Sequence, residues 1–377
     1  MATGIRSPFD PCITHRSALA SCLALALLVP ATALAAPLPT PVPSPGFAIT
    51  VFAGPLAGST APDSIAVVGQ HVWVAYGNGG NPDGSGGAMS QIVEYSFPGG
   101  KVERILTVKG HNDGLRLDPA TNQLWALQNE DANPKLVVID PITGITVKYK
   151  FAAPPPHGGG YDDIVFTNGA GAIIPYISAS APTLDANGKS IGPSIVKATL
   201  VAASHTVEVT PVVSGTRFAV NIPFGTLSQL NLTDPDSMKM TPSGEILLDD
   251  QADGLLVFWP VASPNAPLRV LPLLGAVQVD DTVFAKSRHG VLLVADRDAN
   301  TIYAVTTPVW PLDAAYSAAA AVPAAPTTPA FPAYVGRLDL TSGAVVPVVT
   351  NLVSPHGMAF IKAPEGPPAD GRGDAGN

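Results

Sequence analysis

The chain has 377 residues with 20 basic and 29 acidic side chains, a formal net charge of −9. This acidic balance excludes nucleic acid and anionic membrane surfaces as partners. The only two cysteines, Cys12 and Cys22, fall in a segment expected to be removed, which excludes disulfides, thiolate metal sites and a cysteine nucleophile.

That segment is residues 1–35. Arg6 and Arg16 precede an apolar run from Ala18 to Val29, and Ala33-Leu34-Ala35 forms a small-residue cleavage site, the pattern of a secretory signal peptide. An exported protein, periplasmic or extracellular, is therefore expected. Leu19-Ala20-Ser21-Cys22 imitates a lipoprotein box, but its apolar run follows the cysteine, which argues against lipidation. No later stretch approaches the roughly 20 apolar residues of a membrane-spanning helix, so no membrane span is expected. After removal of the segment, 18 basic and 28 acidic side chains remain, a net charge of −10.

Residues 36–46 (APLPTPVPSPG) carry five prolines and read as an extended leader. FAITVFAG (47–54) is the first strand candidate. A short phrase then recurs: PDSIAV (62–67), the opening of HNDGLRLDPATNQLWAL (111–127), YDDIVF (161–166), PDSMKM (235–240), VDDTVF (279–284) and PHGMAF (355–360). Each carries a polar residue at one place, namely Asp63, Asp113, Asp162, Asp236, Asp280 and His356. The intervals are 50, 49, 74, 44 and 76 residues, so one period of 44–50 recurs and two units hold insertions.

Within a unit the pattern is strands throughout: SIAVV, HVWVAY, QIVEYSF and KVERILTV, then LRL, QLWAL, KLVVID and TVKYKF. Period-two alternation between clusters of Gly, Pro, Asn and Asp marks short antiparallel strands. Four strands per repeat of about 40–50 residues is the signature of a β-propeller blade. The prediction is an all-β, six-bladed propeller over residues 47–362, its last blade closed by both termini, with five blades as the alternative. Insertions are expected near 214–233 and 307–333, the second an Ala/Pro-rich loop, and a disordered tail over 363–377. Trp73 and Trp125 occupy matching second-strand positions and are expected to pack the blades.

Because the first strand of every blade lines the channel, five carboxylates and a histidine should converge on one end of it. Like charges so close raise one another's pKa and call for a cation. Oxygen ligands favour Ca²⁺, or Mg²⁺ and Mn²⁺, and the histidine admits Zn²⁺. The plainer alternative for each aspartate is an Asx-turn to its own backbone. Asp163 and Asp281 alternate away from the ring and read as solvated or turn-bound. Asp249-Asp250 and Asp296-Arg297-Asp298 end second strands and are assigned to the opposite end of the blade. No Gly-x-Ser-x-Gly elbow or His-Glu-x-x-His pair occurs.

The run NDGLRLDPATNQLWAL resembles the NDG…DP…W segment of the SMP-30/gluconolactonase-like six-bladed propellers, and PDSMKMTPSGEILLDD resembles their PDG-type segment two blades on. More loosely, the strand grammar is similar to NHL-type repeats. The resemblance implies a divalent ion at the channel mouth held by a Glu, an Asn and an Asp, and in many members lactonase activity. The family Asp falls on Asp236, the Asn on Asp162 and the Glu on His356, so two of the three ligands differ in type. The family's Arg before NDG is absent, with Gly110 and His111 in its place.

The expectation is thus an exported, monomeric, metal-dependent hydrolase acting on a small lactone or ester. Asp162, Asp236 and His356 would be ligands, Asp63 and Asp280 outer or alternative ligands, Asp113 the general base, and Asn112 and His111 substrate contacts. The competing expectation is a non-catalytic propeller that binds a small ligand or protein partner and holds a structural cation.

Overall fold

Each of the six polar openings begins the innermost strand of a blade. The computed structural model describes residues 37–169, 171–275, 277–322 and 330–363. The expected signal peptide and all but Ala363 of the expected tail lie outside those residues. Among the described residues no helix is long and apolar enough to cross a membrane, and the described elements belong to a unit that begins at Leu38.

Inner strands Pro62–Val68, Asn112–Asp118, Ile164–Gly169, Pro235–Met240, Val279–Phe284 and Pro355–Lys362 define blades 1 to 6. Each neighbours the next around a closed ring. The chain is therefore a six-bladed propeller, and the five-bladed alternative is set aside. Blades 1 to 4 are each built from four consecutive antiparallel strands. The last two blades are interlaced. From the inner strand of blade 5 the chain crosses to blade 6, lays down Gly290–Asp296 and Thr301–Thr306, and returns to complete blade 5. Blade 6 is closed by the C-terminal inner strand on one side and by Ala48–Ala53 on the other.

Trp310 pins the return crossing. Its fully buried ring packs edge-on against Phe47, Tyr316 and Phe360, and its indole N–H donates to Gly290 O at 3.0 Å. The stretch 307–333 is consequently not simply a loop. Its Ala315–Ala319 is the second strand of blade 5, with all five residues buried. Small side chains conceal it from a pattern search, since alanine has low strand preference and contributes little hydrophobic signal. The other expected insertion forms a hairpin, Phe218–Asn221 and Leu227–Gln229, on the outer edge of blade 4. Val42–Pro43 of the proline-rich leader adds a short strand to the outside of blade 5.

The apolar core is divided among the blade interfaces. Among the described residues six clusters of buried side chains occur, one between each pair of adjacent blades, for example Trp73, Leu115, Leu124 and Val137 between blades 1 and 2. Trp73 and Trp125 lie in such clusters, at 0% and 4% exposure. Fully burying one Val, Leu or Ile is worth about 1.5–3 kcal/mol, so this distributed packing holds the ring rigid around its channel.

Candidate active site at the channel mouth

A repeated backbone irregularity aims the openings inward. In five blades the inner strand bulges at the same place, so that two of its residues face one on the second strand. Asp63 and Ser64 oppose Ala75, Asp113 and Gly114 oppose Leu127, and Asp236 and Ser237 oppose Asp249. Asp280 and Asp281 oppose Ala318, while His356 and Gly357 oppose Ala295. A bulge bends the strand and redirects its side chains. The first residue of each pair joins the mouth, and the second turns between blades, where the next inner strand lies close. A Cβ on Gly114 would stand 2.2 Å from Asp162 O, and one on Gly357 would stand 2.6 Å from Asp63 O.

The mouth gathers Asp63, Asp113, Asp162, Asp236, Asp280 and His356 into one electrostatic group. Burial holds the carboxyl groups of Asp63, Asp162 and Asp236 well above the ordinary range, and repulsion within the ring raises them further. Nδ1–H of His356 donates to Asp280 Oδ1 at 2.7 Å and lies 3.5 Å from Asp63 Oδ2. Its Nε2 pairs with Ser354 Oγ at 3.1 Å. Although burial opposes its charge, these carboxylates raise the imidazole to about 10, so His356 is the ring's internal cation. Asp296 sets its position by accepting from the backbone N–H groups of Val353 and Ser354 at 3.0 and 2.7 Å.

One member of the mouth is missing from the sequence expectations. Glu130 follows the second strand of blade 2, and its carboxyl group lies beside that of Asp113, with oxygens within 4.8 Å. Burial first, then Asp113, Asp162 and Asp63, hold it well above the usual carboxylate range. His111, Asp113 and Glu130 present ligand atoms within 4.8 Å of one another, as do Asp63, Asp280 and His356. His111 Nδ1 lies 3.0 Å from Gly80 O. A carbonyl only accepts, so Nδ1 carries the proton and Nε2 faces Glu130 Oε1 at 3.8 Å.

The antiparallel hairpin is the signal for Glu130. The second strand of a blade returns to the level at which the first began, as Gln128 opposite Asn112 shows. The same geometry corrects the assignment of the other second-strand ends. Asp250 stands opposite Pro235 and Asp296 opposite Pro355, at the mouth and not at the opposite end. Asp250 is raised to about 9 by burial and by Asp253 and Asp234.

Asn112 is brought to the mouth but not exposed to it. It has 0% exposure, and its Nδ2 donates to Leu127 O within the blade. Asp163 and Asp281 are also placed differently from expectation, because both are buried rather than solvated. Asp163 pairs with Arg116 and accepts from Met238 N–H at 2.9 Å. Asp281 pairs with Lys239 Nζ at 2.8 Å and accepts from Met358 N–H at 2.8 Å. Each therefore joins its own blade to both neighbours, and together they form a charged layer beneath the mouth.

No family model matches the chain, and no curated protein matches it. Among solved structures it is similar to a Bacteroides caccae protein of unknown function, with 11% identity, coverage of 82% of this chain and 89% of that one, and a TM-score of 0.46. It is similar to a candidate gluconolactonase with 11% identity, 83% and 84% coverage and a TM-score of 0.43. A virginiamycin B lyase from Staphylococcus aureus gives 9% identity, 69% and 99% coverage and a TM-score of 0.43. The propeller assignment rests on the closed ring of six inner strands in this chain.

Proposed function

We propose that the acidic mouth is the active site of an exported hydrolase for small lactones or esters, in which a divalent cation shares the ring with the Asp113–Glu130 pair. The carrying observation is the placement of that pair: Asp113 and Glu130 present carboxylate oxygens within 4.8 Å of one another inside a ring of further carboxylates, and burial first, then Asp113, raise the Glu130 carboxyl group well above its ordinary range. Closely spaced carboxyl groups in unlike environments divide into an acid and a base.

The donor set fits a hard cation. Asp63 and Asp280 present converging oxygen atoms beside His356, while Asp162 and Asp236 share the ring without joining that converging set, a chemistry suited to Ca²⁺ and also to Mg²⁺ or Mn²⁺. The resemblance assigns a third ligand to His356, but both its ring nitrogens are engaged by Asp280 and Ser354. His356 therefore enters as a counter-charge, and Zn²⁺ is the poorer fit. A bound divalent ion would supply Lewis-acid polarisation of the substrate carbonyl and stabilise the oxyanion.

The chain's own groups handle the protons. Asp113 is assigned as the general base that takes a proton from the attacking water, and Glu130 as the general acid that gives one to the leaving alkoxide. A proton passed from Asp113 to Glu130 then restores both groups. His111 stands beside Glu130, with Nε2 3.8 Å from Oε1, and Asn112 serves the blade rather than the substrate.

Metal content of the purified protein, combined with a lactone and aryl-ester panel before and after chelation, tests this reading. Retained calcium and hydrolysis that disappears both on chelation and in Asp113→Asn are expected. A metal-free protein that gains no melting temperature from added calcium and hydrolyses nothing sinks it. One observation favours a non-catalytic reading, since His356 already gives the ring a cation. A bound ion whose removal lowers the melting temperature, with the panel silent throughout, would decide for that reading.

A further inference from the structure

We propose that the end of the channel opposite the acidic mouth is a binding site for a small oxyanion, a phosphate or short dicarboxylate. The inner strands that begin with aspartates end among cations. Three residues beyond Asp113 and Asp236 stand Arg116 and Lys239, Lys286 follows the inner strand of blade 5, and Lys362 ends that of blade 6. A cavity of about 250 Å³ lies there, with Arg116, Lys239 and Lys286 in its wall among apolar side chains such as Leu117, Met240 and Phe360.

The charges of this end do not balance. Arg116 is neutralised by Asp163 and Lys239 by Asp281. Lys286 and Lys362 have no ion pair among the described residues, which leaves one uncompensated positive charge in the cavity wall, Lys286, and a second near it, Lys362. Lys286 is open to solvent at the rim, yet the protein around it desolvates the ammonium, and Lys239, Lys362 and Arg116 repel it, so its pKa is lowered. An anion of one or two charges would relieve that repulsion, and the apolar walls strengthen its attraction.

The recognition is of charge more than of shape. Arg116 already directs Nη1 to Leu115 O and Nη2 to Asp163, so part of its fork is committed within the protein. The lysines are point charges on flexible stems, which suit a compact dianion. The Asp163 and Asp281 layer stands between this site and the mouth, where Gly114 lets adjacent inner strands touch. The two sites are therefore separate, and the proposal does not depend on hydrolysis.

The test is a titration of the full chain with inorganic phosphate and, separately, with succinate, against chloride at matched ionic strength, read by melting temperature and calorimetry. At least one of the two should raise the melting temperature by about 2 °C or more at saturation. The arm that responds more strongly identifies phosphate or dicarboxylate as the preferred class. The response should weaken at least about tenfold in Lys286→Ala and in Lys286→Gln/Lys362→Gln, and remain in Asp236→Asn. Absence of any effect beyond that of chloride, an unchanged response in both lysine variants, or loss of the response in Asp236→Asn would overturn the proposal.

Discussion

The aspartates at the channel mouth and those in the outer turns are the same residue under opposite electrostatic conditions. In the turns, Asp140, Asp185 and Asp339 accept hydrogen bonds from backbone N–H groups two to four residues on, which hold their carboxyl groups below the ordinary range. Each of these turns closes on a glycine with positive φ, Gly144, Gly188 or Gly343. At the mouth, Asp63, Asp162 and Asp236 are raised first by burial and then by neighbouring carboxylates, Asp113 and Asp280 acting on all three. The Asx-turn alternative for the ring is thus answered by location. Turn duty belongs to aspartates after strands, whereas the strand starts gather carboxylates that accept no backbone N–H hydrogen bond among the described residues and whose counter-charge is His356.

The buried layer one residue further along gives the largest expected effect, because its carboxylates are fully paired. Asp163→Ala would strip Arg116 of its partner and Met238 N–H of its acceptor. Breaking a buried pair in this way costs about 3–5 kcal/mol, measurable by chemical denaturation. A loss below about 1 kcal/mol would mean that the layer is not distinct from the solvated turns.

A mouth substitution should act on chemistry and leave stability intact. Asp113→Asn removes the base and is expected to lower kcat by roughly 10²–10⁴ on any hydrolysed substrate. It also removes a charge that repels Asp63, Asp162, Asp236 and Glu130, so the melting temperature should hold or rise. A marked fall in melting temperature would show that Asp113 is structural.

Next in size is the response to pH and calcium. Asp63, Asp162, Asp236 and Glu130 have folded pKa values above their unfolded ones, so the folded state binds protons that the unfolded chain releases. Their contribution is fully present below about pH 4 and declines as pH rises through the raised values. His356 contributes fully below its unfolded pKa of about 6.5 and loses that contribution as pH passes about 10. Chelated protein should therefore melt at a lower temperature at pH 8 than at pH 5. Calcium at about a hundredfold above its Kd should add roughly 3 kcal/mol and flatten the slope. An identical slope with and without calcium would separate the ion from the mouth.

Much of this arrangement is legible in the sequence, and the parts that are not have physical reasons. The openings are readable because the channel imposes one polar residue at one level of every blade, at a bulge in five of them and, for Asp162, just before the inner strand of blade 3. The interlacing of blades 5 and 6 is hidden because strands adjacent in sequence are assumed to share a blade. Ala315–Ala319 is hidden by its small side chains, although all are buried. Glu130 is hidden because ring residues are sought at strand starts, while a hairpin brings second-strand ends to the same level. The buried roles of Asp163 and Asp281 depend on Arg116 and Lys239, which lie 47 and 42 residues away and on other blades.

The smallest expected effect lies in the outer turns and reverses the sign seen at the mouth. Asp339 accepts from Thr341 N–H at 2.9 Å, from Thr341 Oγ1 at 2.6 Å and from Ser342 Oγ at 2.8 Å, which lowers its pKa to about 2. A depressed folded pKa stabilises above the unfolded value of about 4 and ceases to do so as pH falls through about 2. Asp339→Asn should thus lower the melting temperature slightly at pH 7, less at pH 3, and leave calcium binding and hydrolysis unchanged. Asp236→Asn should do the opposite, raising the melting temperature of chelated protein at pH 7 while weakening calcium binding. If both variants moved stability in the same direction with pH, the division between charge-gathering and turn-making aspartates would fail. Opposite slopes would tie the mouth's acidity to the ring itself rather than to aspartate at strand ends in general.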